Sequence, residues 1–143
     1  MPEIFLFDTS VYIAYIREKK YAELIDRTTE AGRAVLSSVV AMELYAGARS
    51  TAEKRLLDQY VSSMKRLKAY DVPGEGDWAK SGILVERYTR LRGHTDVRDH
   101  FRDILLILTA LHRDAVLVST NKHLTNWMPL LKRQGETLRM TIV

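Results

Sequence analysis

The sequence predicts a parallel α/β sheet with helices on both faces, and three observations carry that prediction. Short, wholly apolar runs at Ile4 to Phe7, Ala34 to Leu36 and Ala115 to Val118 have the length and flanks of strands buried on both sides. Helical patterns lie between them, so strands and helices alternate along the chain. At 143 residues, 46% apolar and 28% charged, with no proline-rich linker, repeat or low-complexity tract, the chain reads as a single domain over 1–143.

Each element has a local reason. Asp8 ends the first apolar run, and Val11 to Ile16 and Tyr21 to Glu30 then carry helical spacing. After the second strand, Ser38 to Ala48 carries a helical pattern, and within it Val39 to Gly47 is apolar on every face apart from Glu43. From Ala52 to Leu67, the residues Leu56, Leu57, Tyr60, Val61 and Met64 form one apolar stripe. Pro73-Gly74-Glu75-Gly76 is the strongest loop punctuation. Beyond it come a helix from Asp77 to Arg92 stopped by Gly93, a helix from Arg98 to Arg113, the strand at Ala115 and a last strand from Leu138 to Val143.

Composition removes several function classes. With no cysteine there is no disulfide scaffold and no thiolate metal site, and the four histidines, His94, His100, His112 and His123, lack ligand spacing. The unbroken apolar run Ile104 to Leu108 is far short of the roughly 20 residues that a membrane-spanning helix needs. The start, MPEIFLFDTS, has no basic leader, so the expected location is the cytoplasm. Lys plus Arg number 22 against 18 Asp plus Glu, a formal charge of +4, which mildly favours an anionic partner.

Three acids stand in surroundings that do not suit them. Asp8 sits where a buried strand delivers its C-terminal end, the edge at which open parallel sheets bind ligands, and it reads equally as the cap of the next helix. Glu43 lies among Val39, Val40, Ala41, Met42, Leu44 and Tyr45; an unpaired interior carboxylate costs several kcal/mol, so Glu43 requires a metal, a donor set, a cleft or a salt bridge to one of the basic residues. Asp103 precedes Ile104-Leu105-Leu106-Ile107-Leu108, the most hydrophobic helix. Asp99, four residues earlier, can share its face, with Arg98 and Arg102 offset; Asp96 and Asp99 also suit the first turn of a helix through its dipole. A fourth polar cluster, Ser119-Thr120-Asn121, follows the strand at Ala115 and reads either as site residues or as a polar turn. Brought together, Asp8, Glu43 and Asp103 would repel one another, and an all-oxygen donor set points to Mg²⁺ or Mn²⁺ as the cation that gathers them.

Asp8-Thr9-Ser10, Glu43-Leu44-Tyr45-Ala46-Gly47, Arg102-Asp103-Ile104-Leu105 and Leu117-Val118-Ser119-Thr120-Asn121, in this order and spacing, resemble the PIN-domain ribonucleases of the VapC toxin type over essentially the whole chain. The resemblance implies a three-layer α/β/α fold with a four- or five-stranded parallel sheet. It also implies Mg²⁺- or Mn²⁺-dependent hydrolysis of RNA, with tRNA or ribosomal RNA as the expected substrate, that stops growth until a cognate antitoxin covers the cleft. It assigns Asp8, Glu43 and Asp103 as the catalytic and metal-binding acids, Asp99, Ser119 and Asn121 as auxiliary residues, and a homodimer as the assembly. Asn121 departs from the family, which places a fourth acid at this position.

Two rivals follow from the same residues. Asn121 favours a catalytically weak PIN-like module that binds RNA or protein and holds a structural ion. A phospho-receiver domain would want paired acids before the first strand end, where only Glu3 stands, and a lysine after a late strand, where only Lys122 lies near. Leu56, Leu57, Tyr60 and Met64 with Leu44 and Tyr45 are expected to form a groove for an amphipathic partner helix, or else plain core. The basic run Arg49 to Lys68 reads as a solvated helix face before an RNA track, and Trp78 and Trp127 as packing residues.

Overall fold

The computed structural model describes residues 2–93 and 97–143, and for 97–99 the backbone only. Strand β1 (Ile4–Phe7) leads into α1 (Thr9–Glu18) and α2 (Ala22–Glu30), then β2 (Ala34–Ser37), α3 (Ser38–Ala46), α4 (Thr51–Arg66) and a two-residue β3 (Tyr70–Asp71). The second half runs through α5 (Glu75–Arg92), α6 (Val97–Arg113), β4 (Ala115–Ser119), a 3₁₀ stretch (Lys122–Trp127), α7 (Met128–Arg133) and β5 (Met140–Ile142).

The five strands lie in the order β3-β2-β1-β4-β5, and every pairing is parallel. Phe5 pairs with Ala34 on one side and Val116 on the other, so β1 is the central strand. Chain order runs outward from β1 in one direction through β2 and β3, and in the other through β4 and β5. The topological switch point therefore lies between β1 and β4, and the crevice beyond their C-terminal ends is where a sheet of this kind receives a ligand. β2 and β4 are buried along their whole length, because helices cover both faces of the sheet.

Local chemistry explains most boundaries. Ser37 ends β2 and caps α3, its Oγ accepting the Val39 N–H at 3.1 Å; Ser50 caps α4 in the same way through Glu53 N–H at 3.1 Å. The Pro73–Gly76 segment is not all loop. Gly74 caps α5, and Asp77 is already in the first turn, its Oδ2 accepting the Gly74 N–H at 2.8 Å, so the helix begins two residues before the position periodicity suggests. Gly93 ends α5 with φ +86°, a backbone state that other residues resist. The sharp α1–α2 turn places Lys19 and Tyr21 in the left-handed region, which redirects the chain between the two helices.

Three elements are absent from the sequence reading. β3 is too short for any pattern, and the 3₁₀–α7 segment buries only Leu124, Trp127, Leu130 and Leu131. The final strand is three residues rather than six. Trp127 is a packing residue, 1% exposed and stacked on Tyr88 at 4.0 Å between ring centroids, whereas Trp78 is 58% exposed and corrects the expectation that both tryptophans pack. Among the described residues, no helix is long and apolar enough to cross a membrane.

Candidate active site

β1 carries Asp8 to the switch point. The Asp8 N–H still bonds to the Val118 carbonyl at 2.9 Å, so sheet pairing fixes the backbone up to this residue. The backbone is extended, and Oδ1 accepts the Thr9 N–H at 2.7 Å, capping α1. Oδ2 accepts the hydroxyl of Ser119 at 2.7 Å. Ser119, at the end of β4 and fully buried, takes the Asn121 N–H at 2.9 Å on the same oxygen. A chain of bonds from Asn121 through Ser119 to Asp8 thus crosses the β1/β4 crevice and sets the orientation of the carboxylate. The capping and site readings of Asp8 are compatible, because an ionised carboxylate has about four acceptor positions and these bonds use two.

Glu43 approaches from α3. Val39, Val40, Ala41 and Leu44 are buried, while Met42 is 61% exposed, so one side of this helix opens to solvent, contrary to its all-apolar sequence. The Glu43 side chain is 18% exposed; Oε2 meets Arg102 Nη1 at 3.0 Å, and Oε1 accepts the hydroxyl of Thr9 at 2.9 Å. Burial pushes the Glu43 carboxyl above its ordinary value, the Thr9 bond and the Arg102 charge pull it back, and the charge of Asp8 raises it. Asp8 and Glu43 therefore feel each other as charges and are joined through one residue, Thr9.

Asp103 is half-buried on α6, next to Arg102 and ahead of the buried run Ile104 to Ala110. α6 packs against α3 and β4, the elements that carry Glu43 and Ser119. Asp99 lies on α6 by its backbone, but its side chain, with those of Asp96 and His94, is outside the described residues. Asn121 caps the 3₁₀ stretch, its Oδ1 accepting the His123 N–H at 3.0 Å, so its oxygen serves the polar turn. The Thr120 N–H reaches Ser10 Oγ at 3.4 Å and ties that turn to α1. Thr9 and Arg102 are the residues the sequence undervalued. Thr9 enters the sequence reading only as part of the Asp8-Thr9-Ser10 motif and Arg102 only as a residue offset from the acids, yet the long side chain of Arg102 reaches across to α3.

The donor chemistry suits a hard divalent cation. Asp8 and Glu43 offer carboxylate oxygens from two elements at a sheet edge, and Mg²⁺ is typically held by one or two carboxylates with substrate phosphate completing its shell. Among the described residues, no group of three or more His, Cys, Asp or Glu side chains is gathered closely enough to form a metal cluster. The cation now on Glu43 is the Arg102 guanidinium.

A second surface lies on the other side of α1. Tyr12, Tyr15 and Ile16 of α1, Asp26 of α2, Leu44 of α3 and Leu56, Leu57 and Tyr60 of α4 line a cavity of about 560 Å³. Tyr12 and Tyr60 share a hydrogen bond of 2.9 Å at its floor, and Tyr15 donates to Asp26 at 2.6 Å. Burial holds the Tyr12 and Tyr60 hydroxyls above their ordinary value, and the bond to Asp26 pushes Tyr15 up to about 12. The groove contains the expected Leu44, Leu56, Leu57 and Tyr60, but Met64 is wholly buried in the core and Tyr45 turns away to bond Asp58 at 2.7 Å.

A family model for the PIN domain matches residues 5–126. The chain belongs to the PIN domain family. The solved structure of VapBC2 from Rickettsia felis bound to a DNA fragment from their promoter contains a chain of the same fold, with a TM-score of 0.63, 17% identity and 98% of each chain covered. No curated protein matches the sequence.

Proposed function

We propose that this chain is a Mg²⁺- or Mn²⁺-dependent endoribonuclease, the toxin of a toxin–antitoxin pair, in which Asp8, Glu43 and Asp103 form the acidic site. The observation that carries the reading is the meeting of Asp8 and Glu43 at the switch point of a PIN-domain sheet, joined through Thr9. A divalent ion held by Asp8 and Glu43, with Asp103, would lower the pKa of the attacking water and neutralise charge on the phosphate. The protein's own part is positional. Ser119 and the Thr9 N–H fix the Asp8 carboxylate, and the Thr9 hydroxyl orients Glu43. Asn121 acts through the backbone of its turn rather than as a fourth acid.

The partner proposed is an antitoxin whose amphipathic segment enters the groove beside Tyr12 and Tyr60, a reading supported by the apolar lining and by the VapBC2 complex that shares this fold. Structured RNA as substrate, a homodimer and a cytoplasmic location complete it.

The test is cleavage of total small RNA by the purified chain with Mg²⁺, Mn²⁺ or EDTA. We expect metal-dependent cuts that leave 5′-phosphates, and a loss of about 100-fold or more in Asp8→Ala, the scale on which removal of a key electrostatic group acts. One observation favours a second reading, a PIN-like binding module: the described residues hold no three-acid cluster. Absence of cleavage by protein that binds RNA and metal would establish that module and overturn the nuclease.

A further inference from the structure

The buried half of Glu43 meets a cation supplied by its own chain. Arg102 Nη1 lies 3.0 Å from Oε2, with the Glu43 side chain 18% and the Arg102 side chain 44% exposed. A half-buried carboxylate, with Asp8 near enough to repel it, gains from any positive charge at that oxygen. A guanidinium and a divalent ion cannot both occupy it at full strength, because each is repelled by the other at close range. The exposed flank of Arg102 leaves a route by which its head can leave Glu43 for the solvent side of the crevice, where a phosphodiester would lie. Guanidinium pairs with phosphate as readily as with carboxylate, in the same forked geometry.

We propose that Arg102 is a resident counter-cation of Glu43 that competes with the divalent ion and is handed to the backbone phosphate of the nucleic acid when the ion enters. Arg102 thereby couples metal and nucleic acid: a phosphate that takes the guanidinium frees Oε2, and each ligand strengthens the other. This rests on the reading that Glu43 helps to hold a divalent ion.

The experiment measures Mn²⁺ affinity by electron paramagnetic resonance at neutral pH, with and without a short 2′-O-methyl RNA that resists cleavage. Arg102→Gln should bind Mn²⁺ about 2- to 5-fold more tightly than the native chain, the scale of a partly exposed charge pair, and Arg102→Lys should bind it as the native chain does, since charge is what competes. The RNA should tighten Mn²⁺ binding in the native chain and do so less in Arg102→Gln. Unchanged or weaker Mn²⁺ binding in Arg102→Gln overturns the competition, and equal tightening by RNA in both overturns the hand-off. Glu43→Gln separates the premise: if it binds Mn²⁺ as well as the native chain, the reading of Glu43 as a metal ligand fails whatever Arg102→Gln does.

Discussion

Helix α1 serves two regions built on opposite physics. Its first residue, Thr9, joins Asp8 to Glu43 in a polar crevice, and its next two turns place Tyr12 and Ile16 along an apolar groove. In the crevice, each carboxylate oxygen of Asp8 and Glu43 is held by a directed bond or an ion pair, and burial works against the charges. In the groove, burial is the stabilising force, and the hydroxyls of Tyr12 and Tyr60 satisfy each other so that the aromatic rings can be buried. Changes in the crevice should therefore alter chemistry at little cost in stability, and changes in the groove the reverse.

The sharpest break in that contrast is Tyr12→Ala. Tyr12 is 2% exposed, packs its edge on Phe7 at 5.8 Å between centroids, and loses an aromatic side chain from the core, so we expect about 3–5 kcal/mol of destabilisation in urea unfolding. Cleavage per folded molecule should stay within about twofold of native, as for a change outside the reacting centre. A loss of activity matching that of Asp8→Ala would show that groove and crevice are one unit.

Ser119→Ala is the mirror image. It removes the bond that orients Asp8 Oδ2 and leaves the Asn121 N–H without its acceptor, at about 1–2 kcal/mol in the same unfolding assay. Cleavage should fall about 10-fold or more, because a misplaced carboxylate costs rate out of proportion to stability. Native activity in Ser119→Ala would mean that the capping bond from Thr9 alone fixes Asp8.

Glu43→Gln sharpens the comparison through pH, with the smallest effect. Burial, the largest influence, raises the folded-state pKa of Glu43 above its unfolded value. The folded protein therefore holds this proton more tightly than the unfolded chain. The stability from that proton is fully present below the unfolded pKa and is lost as pH rises through the folded one. At neutral pH the neutral glutamine escapes this burial cost, so Glu43→Gln should melt slightly above the native chain, and the difference should shrink as pH falls into the carboxylate range. A melting difference that widens on acidification would assign Glu43 a lowered pKa and make the Arg102 pair, rather than burial, dominant.

Much of this molecule was legible in its sequence. The apolar runs at Ile4, Ala34 and Ala115 are strands because a segment apolar on both alternating faces can be covered only inside a layered sheet, and the helices between them follow from stripe and caps. Asp8 at the end of one such run and Ser119 at the end of another are placed at one edge by strand direction alone, so their juxtaposition was readable as well. β3 and α7 were not, since two residues of strand and one turn and a half of helix carry too little periodicity to stand above the noise of composition. Local sequence also left Asp8 divided between cap and ligand and Asn121 between site and turn; hydrogen-bond geometry makes Asp8 a cap that keeps acceptor positions to spare, and it commits the Asn121 oxygen to the turn.

The sequence by itself determined that Glu43 needs a partner, because a carboxylate in an apolar helix cannot stay charged alone. Only the tertiary structure decided which partner. Thr9 and Arg102 lie far from Glu43 along the chain, and long-range pairing depends on how three helices are set around the sheet, which no local pattern encodes.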